Sequence, residues 1–178
     1  IYKAHRIMPY SWKLNTPLSN FEAGRNYQNV QDPAITVQIP LLDFEIDNVC
    51  LLIWTTTPWT LPSNLAVCVG PDIDYAAVID HQTNRRFLLA TTRLSNYFKE
   101  ESDYEILKTF KGSLLEGYKY KPIFDDFINH NNAFQILTDA FVSTEDGTGI
   151  VHMAPAYGED DYRICRNVGI EIIDPLDE

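Results

Sequence analysis

The sequence predicts a mixed α/β domain that is mainly β, with a barrel-like sheet and a few short peripheral helices. Three observations favour this fold: the chain has many short runs of β-branched and aromatic residues, turn signals separate these runs, and few segments have helical spacing. With 178 residues, of which 45% are hydrophobic, the chain has enough apolar material for one well-filled core. We therefore expect a single globular domain.

The predicted strands begin at residue 34. The first, Ala34–Ile39, alternates apolar and polar residues, whereas Val49–Trp54 is almost entirely apolar, as in a strand buried on both faces. Asn64–Val69 and Tyr75–Ile79 flank the turn signal Gly70-Pro71-Asp72 and are predicted to pair as a hairpin. Further strands are predicted at Arg86–Thr91, at Tyr104–Phe110, at Phe134–Val142 with a bend, and at Ile150–Met153.

Two helices and an irregular arm complete the expected architecture. Thr92–Glu100 has the spacing of a short amphipathic helix, and Glu159–Val168 is predicted to be a helix that Gly169 closes. Residues 1–33 contain prolines and turn-forming asparagines that interrupt any long helix. We expect these residues to form an extended arm that leads into a barrel core over residues 34–178.

Composition limits the classes of function. A net charge of −11 argues against a module that grips a long nucleic acid alone. Cys50, Cys68 and Cys165 lack metal-ligand spacing, so we expect reduced cysteines, no metal and no cofactor. No apolar run approaches the roughly 18 residues of a membrane span, and no signal peptide is recognisable, so we expect a cytoplasmic location. Because the chain opens on Ile1 rather than a methionine, we expect a fragment of a larger protein.

A cluster of hydroxyl side chains follows the second predicted strand. The stretch Trp54–Asn64 holds four threonines, a serine and an asparagine on a backbone stiffened by two prolines. Such a loop suits the binding of a ribose and an ester. The alternative is structural: threonines favour strand geometry and cap turns.

A second polar segment lies near the end of the chain, where a strand, a loop and an acid-rich helix start follow one another over Gly147–Tyr162. Capping of the helix explains Glu159 and Asp160, whereas Asp161 on the first helical turn is a candidate to bind a ligand's ammonium group. His152 in an apolar strand is either a hydrogen-bonded core residue or a catalytic base.

These two segments together resemble the paired signatures of the isoleucyl-tRNA synthetase editing domain, which implies a domain of the valyl/leucyl/isoleucyl-tRNA synthetase editing type. The resemblance is carried by Thr55–Thr60, Gly147–Pro155, Gly158, Asp161 and Tyr162, and in the arm by Met8–Ser11, Thr16–Glu22 and Val30–Ala34. It implies catalytic roles for Thr56, Thr57 and Asp161. It implies substrate-binding roles for Thr55, Trp59, Thr60, Asn64 and His152.

The resemblance implies hydrolysis of valine from mischarged valyl-tRNA(Ile), with valyl-adenylate as a further candidate substrate. Such proofreading is needed because one missing methylene is worth only about 1–3 kcal/mol in a binding pocket, a limit for which isoleucine against valine in this family is the standard example. The implied partners are the 3′ aminoacyl-adenosine end of tRNA(Ile) and the remaining domains of a parent synthetase.

Three alternatives to this function are considered. A valine-type editing domain that clears threonine usually has an arginine where Thr57 stands. A non-catalytic β-domain would use its exposed aromatic and acidic residues for protein binding. A third alternative is a hydrolase that uses Asp160 and Asp161 as a carboxylate pair. It is disfavoured, since adjacent helical residues point to different sides and cannot flank one bond.

Overall fold

The computed structural model describes residues 6–25, 27–173 and 175. Its strands and α-helices are, in chain order, β1 (Tyr10–Ser11), β2 (Thr16–Pro17), α1 (Asn20–Ala23), β3 (Ile35–Pro40), β4 (Val49–Thr55), β5 (Ala66–Val69), β6 (Asp74–Asp80), β7 (Arg86–Ala90), α2 (Leu94–Tyr97), β8 (Tyr104–Lys111), β9 (Gln135–Thr138), β10 (Ile150–Met153) and α3 (Glu159–Asn167). The predicted mainly β fold is confirmed.

One curled sheet of eight strands forms the body of the domain. Its strands pair in the order β8-β6-β7-β4-β10-β5-β9. The eighth strand, β3, pairs with β4 along the edge opposite β7 and β10. All four residues of β5 are buried, as are three of the four residues of β10. The sheet is half-barrel-like, with the few short helices at its periphery.

The site is positioned by the parallel pairing of two strands that are far apart in sequence. The register places Trp54 of β4 opposite Val151 of β10. Because neighbouring parallel strands end at the same edge of a sheet, the loops that follow β4 and β10 emerge side by side. The threonine-rich stretch and the segment leading into α3 are therefore neighbours in space.

The predicted hairpin of Asn64–Val69 with Tyr75–Ile79 is wrong. The turn itself forms, with the Ile73 amide donating to the Gly70 carbonyl, but the two strands separate after it. β5 pairs with β10 and β9, whereas β6 pairs with β7 and β8. A fully buried strand needs hydrogen-bonding partners on both edges, and two later strands supply them.

Two other elements are shorter than predicted. In the predicted helix Thr92–Glu100, only Leu94–Tyr97 is α-helical, and a 3-10 turn at Thr91–Arg93 precedes it. The helix ends at Tyr97 because Phe98 is already extended, with its ring centroid 4.7 Å from that of Tyr104. β9 ends at Thr138, where the Asp139 carboxylate accepts a hydrogen bond from the Phe141 amide and turns the chain.

The second helix and the arm are closer to expectation. α3 ends one residue before the predicted end, and Gly169 adopts φ +75° there, as a closing glycine does. In the described part of the arm, β1 and β2 form a small hairpin and α1 is a single turn that Ser19 caps. Residues 1–5 and 26 lie outside the described residues, and the division into arm and core stays a prediction. No helix in the described ranges is long and apolar enough to cross a membrane.

Candidate active site

An open cleft of about 840 Å³ lies where the loops after β4 and β10 meet. Its size is within the range of small-molecule sites in proteins. The lining side chains are Tyr10, Trp12, Trp54, Thr55, Thr56, Thr57, Trp59, Thr60, Val151, His152, Ala154, Tyr157, Gly158 and Asp161. Three distant parts of the sequence therefore contribute to one cavity: the arm, the threonine-rich stretch and the start of α3.

The threonine loop is held by hydrogen bonds between its own members. The Thr55 hydroxyl accepts from the Thr57 amide at 3.0 Å, and the Thr60 hydroxyl donates to the Thr57 carbonyl at 2.8 Å. A 3-10 helix, Pro58–Ser63, follows directly, and proline at its first position fixes the backbone. Thr56 and Thr57 stay exposed in the cleft. The loop thus presents two hydroxyls on a rigid support.

Asp161 is the third residue of α3 and its carboxylate turns back towards the end of β10. One oxygen accepts a hydrogen bond from the Ala154 amide at 2.7 Å. A β-carbon at position 158 would lie 2.8 Å from the Asp161 carboxyl carbon, so a larger residue there would force this carboxylate to shift. Burial raises the pKa of Asp161 to about 6, and the neighbouring Asp160 charge adds to this rise. A carboxylate with so little solvation is a strong partner for a cation.

The other two acids of this helical turn differ from Asp161 in exposure and in position relative to the cleft. Glu159 and Asp160 are exposed, and Asp160 forms an ion pair with Arg163 at 3.0 Å. Neither lines the cleft. Their place on the first turn of α3 complements the helix dipole, and Asp161 alone of the three faces the cavity.

His152 is buried behind the threonine loop and both of its ring nitrogens are hydrogen-bonded. Nε2 lies 3.0 Å from the Thr60 hydroxyl oxygen, and Nδ1 lies 2.9 Å from the Asn64 amide nitrogen. Burial lowers the pKa of His152 to about 4, so the ring is neutral at pH 7. With no free nitrogen and so low a pKa, the ring is unsuited to act as a general base. The geometry favours the hydrogen-bonded core residue over the base.

The structure brings seven of the eight predicted site residues to the cleft: Thr55, Thr56, Thr57, Trp59, Thr60, His152 and Asp161. Asn64 is the exception, since it is buried behind His152 and does not line the cavity. The chemical roles of all eight stay predictions.

Several neighbours of the site were not predicted as site residues. Tyr10 and Trp12 line the cleft from the arm, and Tyr157 lines it from the loop before α3. Tyr120 donates a hydrogen bond from its hydroxyl to the Asn64 amide oxygen at 2.7 Å. Their proximity to the site depends on how distant segments of the chain pack together, which local sequence patterns do not reveal. In the described residues, no group of three or more His, Cys, Asp or Glu is arranged to hold a metal ion.

Comparison with known proteins shows which proteins this chain resembles in sequence. It is 51% identical to the cytoplasmic isoleucine–tRNA ligase of Mus musculus over 172 residues, which is 96% of this chain and 14% of that protein. By sequence, the chain is similar to one segment of the isoleucine–tRNA ligases. It is also 49% identical to the isoleucine–tRNA ligase of Protochlamydia amoebophila over 99% of its own length and 17% of that protein. The chain thus spans less than a fifth of these isoleucine–tRNA ligases. No protein-family model matches it.

Solved structures give the fold independently. The editing domain of cytosolic leucyl-tRNA synthetase from P. knowlesi aligns with a TM-score of 0.60 at 16% identity, covering 76% of this chain and 61% of that one. The CP1 domain GlLeuRS-CP1 aligns with a TM-score of 0.61 at 17% identity, covering 79% of this chain and 66% of that one. The chain therefore has the CP1 editing-domain fold.

Proposed function

We propose that this chain is a proofreading hydrolase that cleaves the aminoacyl ester of valyl-tRNA(Ile). The observation that carries the proposal is the single cleft shared by the exposed hydroxyls of Thr56 and Thr57 and the half-buried carboxylate of Asp161. An aminoacylated adenosine has a ribose, an ester and an ammonium group in one small molecule. The cleft offers a complementary group for each of these three features.

Asp161 binds the ammonium group of the substrate in this proposal. With a pKa of about 6, it is roughly nine-tenths ionised at pH 7, and burial leaves it short of solvent partners. A bound ammonium group restores a charge-assisted hydrogen bond at that position. Peptidyl-tRNA, with its blocked amine, lacks this interaction and should bind more weakly.

Thr56 and Thr57 bind the ribose and the ester, and water attacks directly. A covalent route through serine or cysteine needs an activated nucleophile in the cleft, and no serine or cysteine among the described residues lines it. Ser63 is buried, and burial raises the pKa of both Cys68 and Cys165 to about 12. Catalysis then rests on positioning a water molecule and on stabilising charge in the transition state.

The side-chain pocket is formed by Trp59, Thr60 and His152, and it selects by size. His152 and Thr60 are fixed to each other by their hydrogen bond, so this wall cannot easily retreat. A rigid wall admits valine and excludes the extra methylene of isoleucine.

The mouth of the cleft suits the single-stranded end of a tRNA. Four exposed aromatic side chains line it, and one of them, Trp12, has 86% of its surface exposed. Bases stack on such side chains with little sequence preference, which gives affinity without a basic surface. The four are Tyr10, Trp12, Trp59 and Tyr157. Since the chain is acidic, the remaining segments of a parent ligase hold the rest of the tRNA. The mouse relative is named as cytoplasmic, which supports a cytoplasmic setting.

A deacylation assay with valyl-tRNA(Ile) and isoleucyl-tRNA(Ile) tests the proposal. We expect release of valine at least tenfold faster than release of isoleucine, since the size gate acts on one methylene. Valyl-adenylate in a parallel reaction tests the second candidate substrate. Equal release of both amino acids, or no release above the uncatalysed rate, refutes the proposed specificity.

A further inference from the structure

A continuous line of buried hydrogen bonds runs from Tyr120 to the threonine loop. The Tyr120 hydroxyl donates to the Asn64 amide oxygen at 2.7 Å, and the Asn64 amide nitrogen lies 2.9 Å from Nδ1 of His152. Nε2 of His152 lies 3.0 Å from the Thr60 hydroxyl, which donates to the Thr57 carbonyl at 2.8 Å. Tyr120 is 1% exposed and does not line the cleft. This line, named here the Tyr120 relay, connects the Tyr120 hydroxyl to the site.

The direction of each bond in the Tyr120 relay follows from donor and acceptor counts. The Asn64 amide nitrogen carries two hydrogens, and its two neighbours are the Ala66 carbonyl at 2.9 Å and Nδ1 of His152. Both hydrogens are therefore donated, and Nδ1 must accept. The proton of the neutral ring then resides on Nε2, which donates to the Thr60 oxygen.

This tautomer determines what the threonine hydroxyls do. Because the Thr60 oxygen accepts from the ring, its own proton is free to bind the Thr57 carbonyl. The Thr57 hydroxyl then has only long contacts, 3.2 Å to Thr55 and 3.3 Å to Thr60, and it is exposed to the cleft. In the opposite tautomer, Nε2 would attract the Thr60 proton and the Thr57 carbonyl would lose this donor.

We propose that Tyr120 and Asn64 are positioning residues for the reaction, because they hold His152 as the Nε2-protonated tautomer and so direct the Thr57 hydroxyl proton towards the substrate. This inference rests on the proposed hydrolysis and adds two residues outside the cleft to it. It gives Asn64 an indirect role in place of direct substrate binding.

Nitrogen NMR of the histidine rings tests the tautomer without any substrate. In the 178-residue chain at pH 7, with His152 assigned by comparison with a His152→Gln variant, we expect a protonated Nε2 and an unprotonated Nδ1. Protonation at Nδ1 overturns the proposal. Because this readout needs no catalysis, failure of the hydrolysis assay leaves the tautomer result intact, and the two ideas fail separately.

Tyr120→Phe tests the link to the reaction. Loss of the donor to Asn64 should let the amide and the ring sample other states, giving mixed tautomer signals and a kcat for valyl-tRNA(Ile) about tenfold lower, with KM little changed. Tyr75→Phe is the matched control, since this buried tyrosine donates to the Gly149 carbonyl and accepts from the Gly70 amide outside the cleft. Tyr75→Phe should leave the His152 signals and kcat unchanged.

Equal effects of the two tyrosine variants on kcat, or a normal ring and normal kcat in Tyr120→Phe, overturn the positioning role. If Tyr120→Phe does not fold, Asn64→Asp replaces it. A carboxylate there accepts from both Tyr120 and Nδ1 of His152, so we expect a proton on Nδ1 and a loss of kcat. An unprotonated Nδ1 with full activity in Asn64→Asp is the contrary result.

Discussion

Replacement of Asp161 by asparagine should make the domain more stable and much less active. The amide oxygen of the new side chain can still accept the hydrogen bond that the Ala154 amide donates to Asp161 at 2.7 Å. The substitution therefore keeps the local geometry and removes the half-buried charge. Opposite effects on stability and hydrolysis are the signature of a carboxylate retained for binding rather than for folding.

The size of the stability gain follows from the pKa of Asp161, which burial raises from 3.8 to about 6. Because the folded pKa lies above the unfolded one, this carboxyl group favours folding most below pH 4, and that contribution is lost as the pH rises through 6. At about 1.4 kcal/mol per pKa unit, the ionised group costs at most about 3 kcal/mol at neutral pH. Since the side chain is partly exposed, we expect a gain of about 1–2 kcal/mol for Asp161→Asn.

Urea unfolding and deacylation measure the two effects on the same protein. We expect a higher free energy of unfolding for Asp161→Asn at pH 7.5, a difference that shrinks towards zero at pH 4, and a kcat/KM for valyl-tRNA(Ile) about a hundredfold lower. Wild-type kcat/KM should fall as the pH drops below 6, where the carboxylate protonates. Asp160→Asn, which removes one exposed charge next door, should change neither quantity much. A destabilised Asp161→Asn, or one with near-normal hydrolysis, would refute the reasoning.

Three further substitutions probe other walls of the cleft. Gly158→Ala places a β-carbon 2.8 Å from the Asp161 carboxyl carbon, and the displaced carboxylate should lower kcat/KM for valyl-tRNA(Ile) about tenfold; an unchanged value argues against a required carboxylate position. Trp12→Ala should raise KM for valyl-tRNA(Ile) about tenfold at constant kcat, because one base loses its stacking partner; an unchanged KM removes the arm from substrate binding. Thr60→Ala should let isoleucyl-tRNA(Ile) be hydrolysed, measured as released isoleucine, at a rate about 10–200-fold above wild type; complete sparing of isoleucyl-tRNA contradicts the size gate.

The fold class was predictable because local patterns determine local structure. The apolar run at Val49–Trp54 and the alternation before Pro40 each mark a strand, and both strands are present. The pairing of the strands was harder to predict from the sequence. The turn at Gly70 is as strong a hairpin signal as the chain contains, yet β5 pairs with β9 and β10. The pairing of the buried strand β5 depends on β9 and β10, which lie about 70 and about 85 residues further along the chain, and local sequence patterns do not reveal these partners.

The candidate site was likewise only partly predictable from the sequence. The threonine loop and Asp161 stand out in the sequence because polar residues follow apolar strands there. The pairing of Trp54 with Val151 is what joins them in one cleft. Tyr120, by contrast, lies in a turn-rich stretch, and its contact with Asn64 joins residues 56 positions apart. Only the three-dimensional structure relates such a residue to the site.

A complex with a non-hydrolysable valyl-adenosine, in which an amide replaces the ester, tests the central claim most directly. We predict that its ammonium group lies within hydrogen-bonding distance of the Asp161 carboxylate, and that its ribose contacts Thr56 and Thr57. The valine side chain should lie against Trp59 and Thr60. A ligand that binds elsewhere on the domain, or in the cleft with its ammonium group turned away from Asp161, would contradict the account.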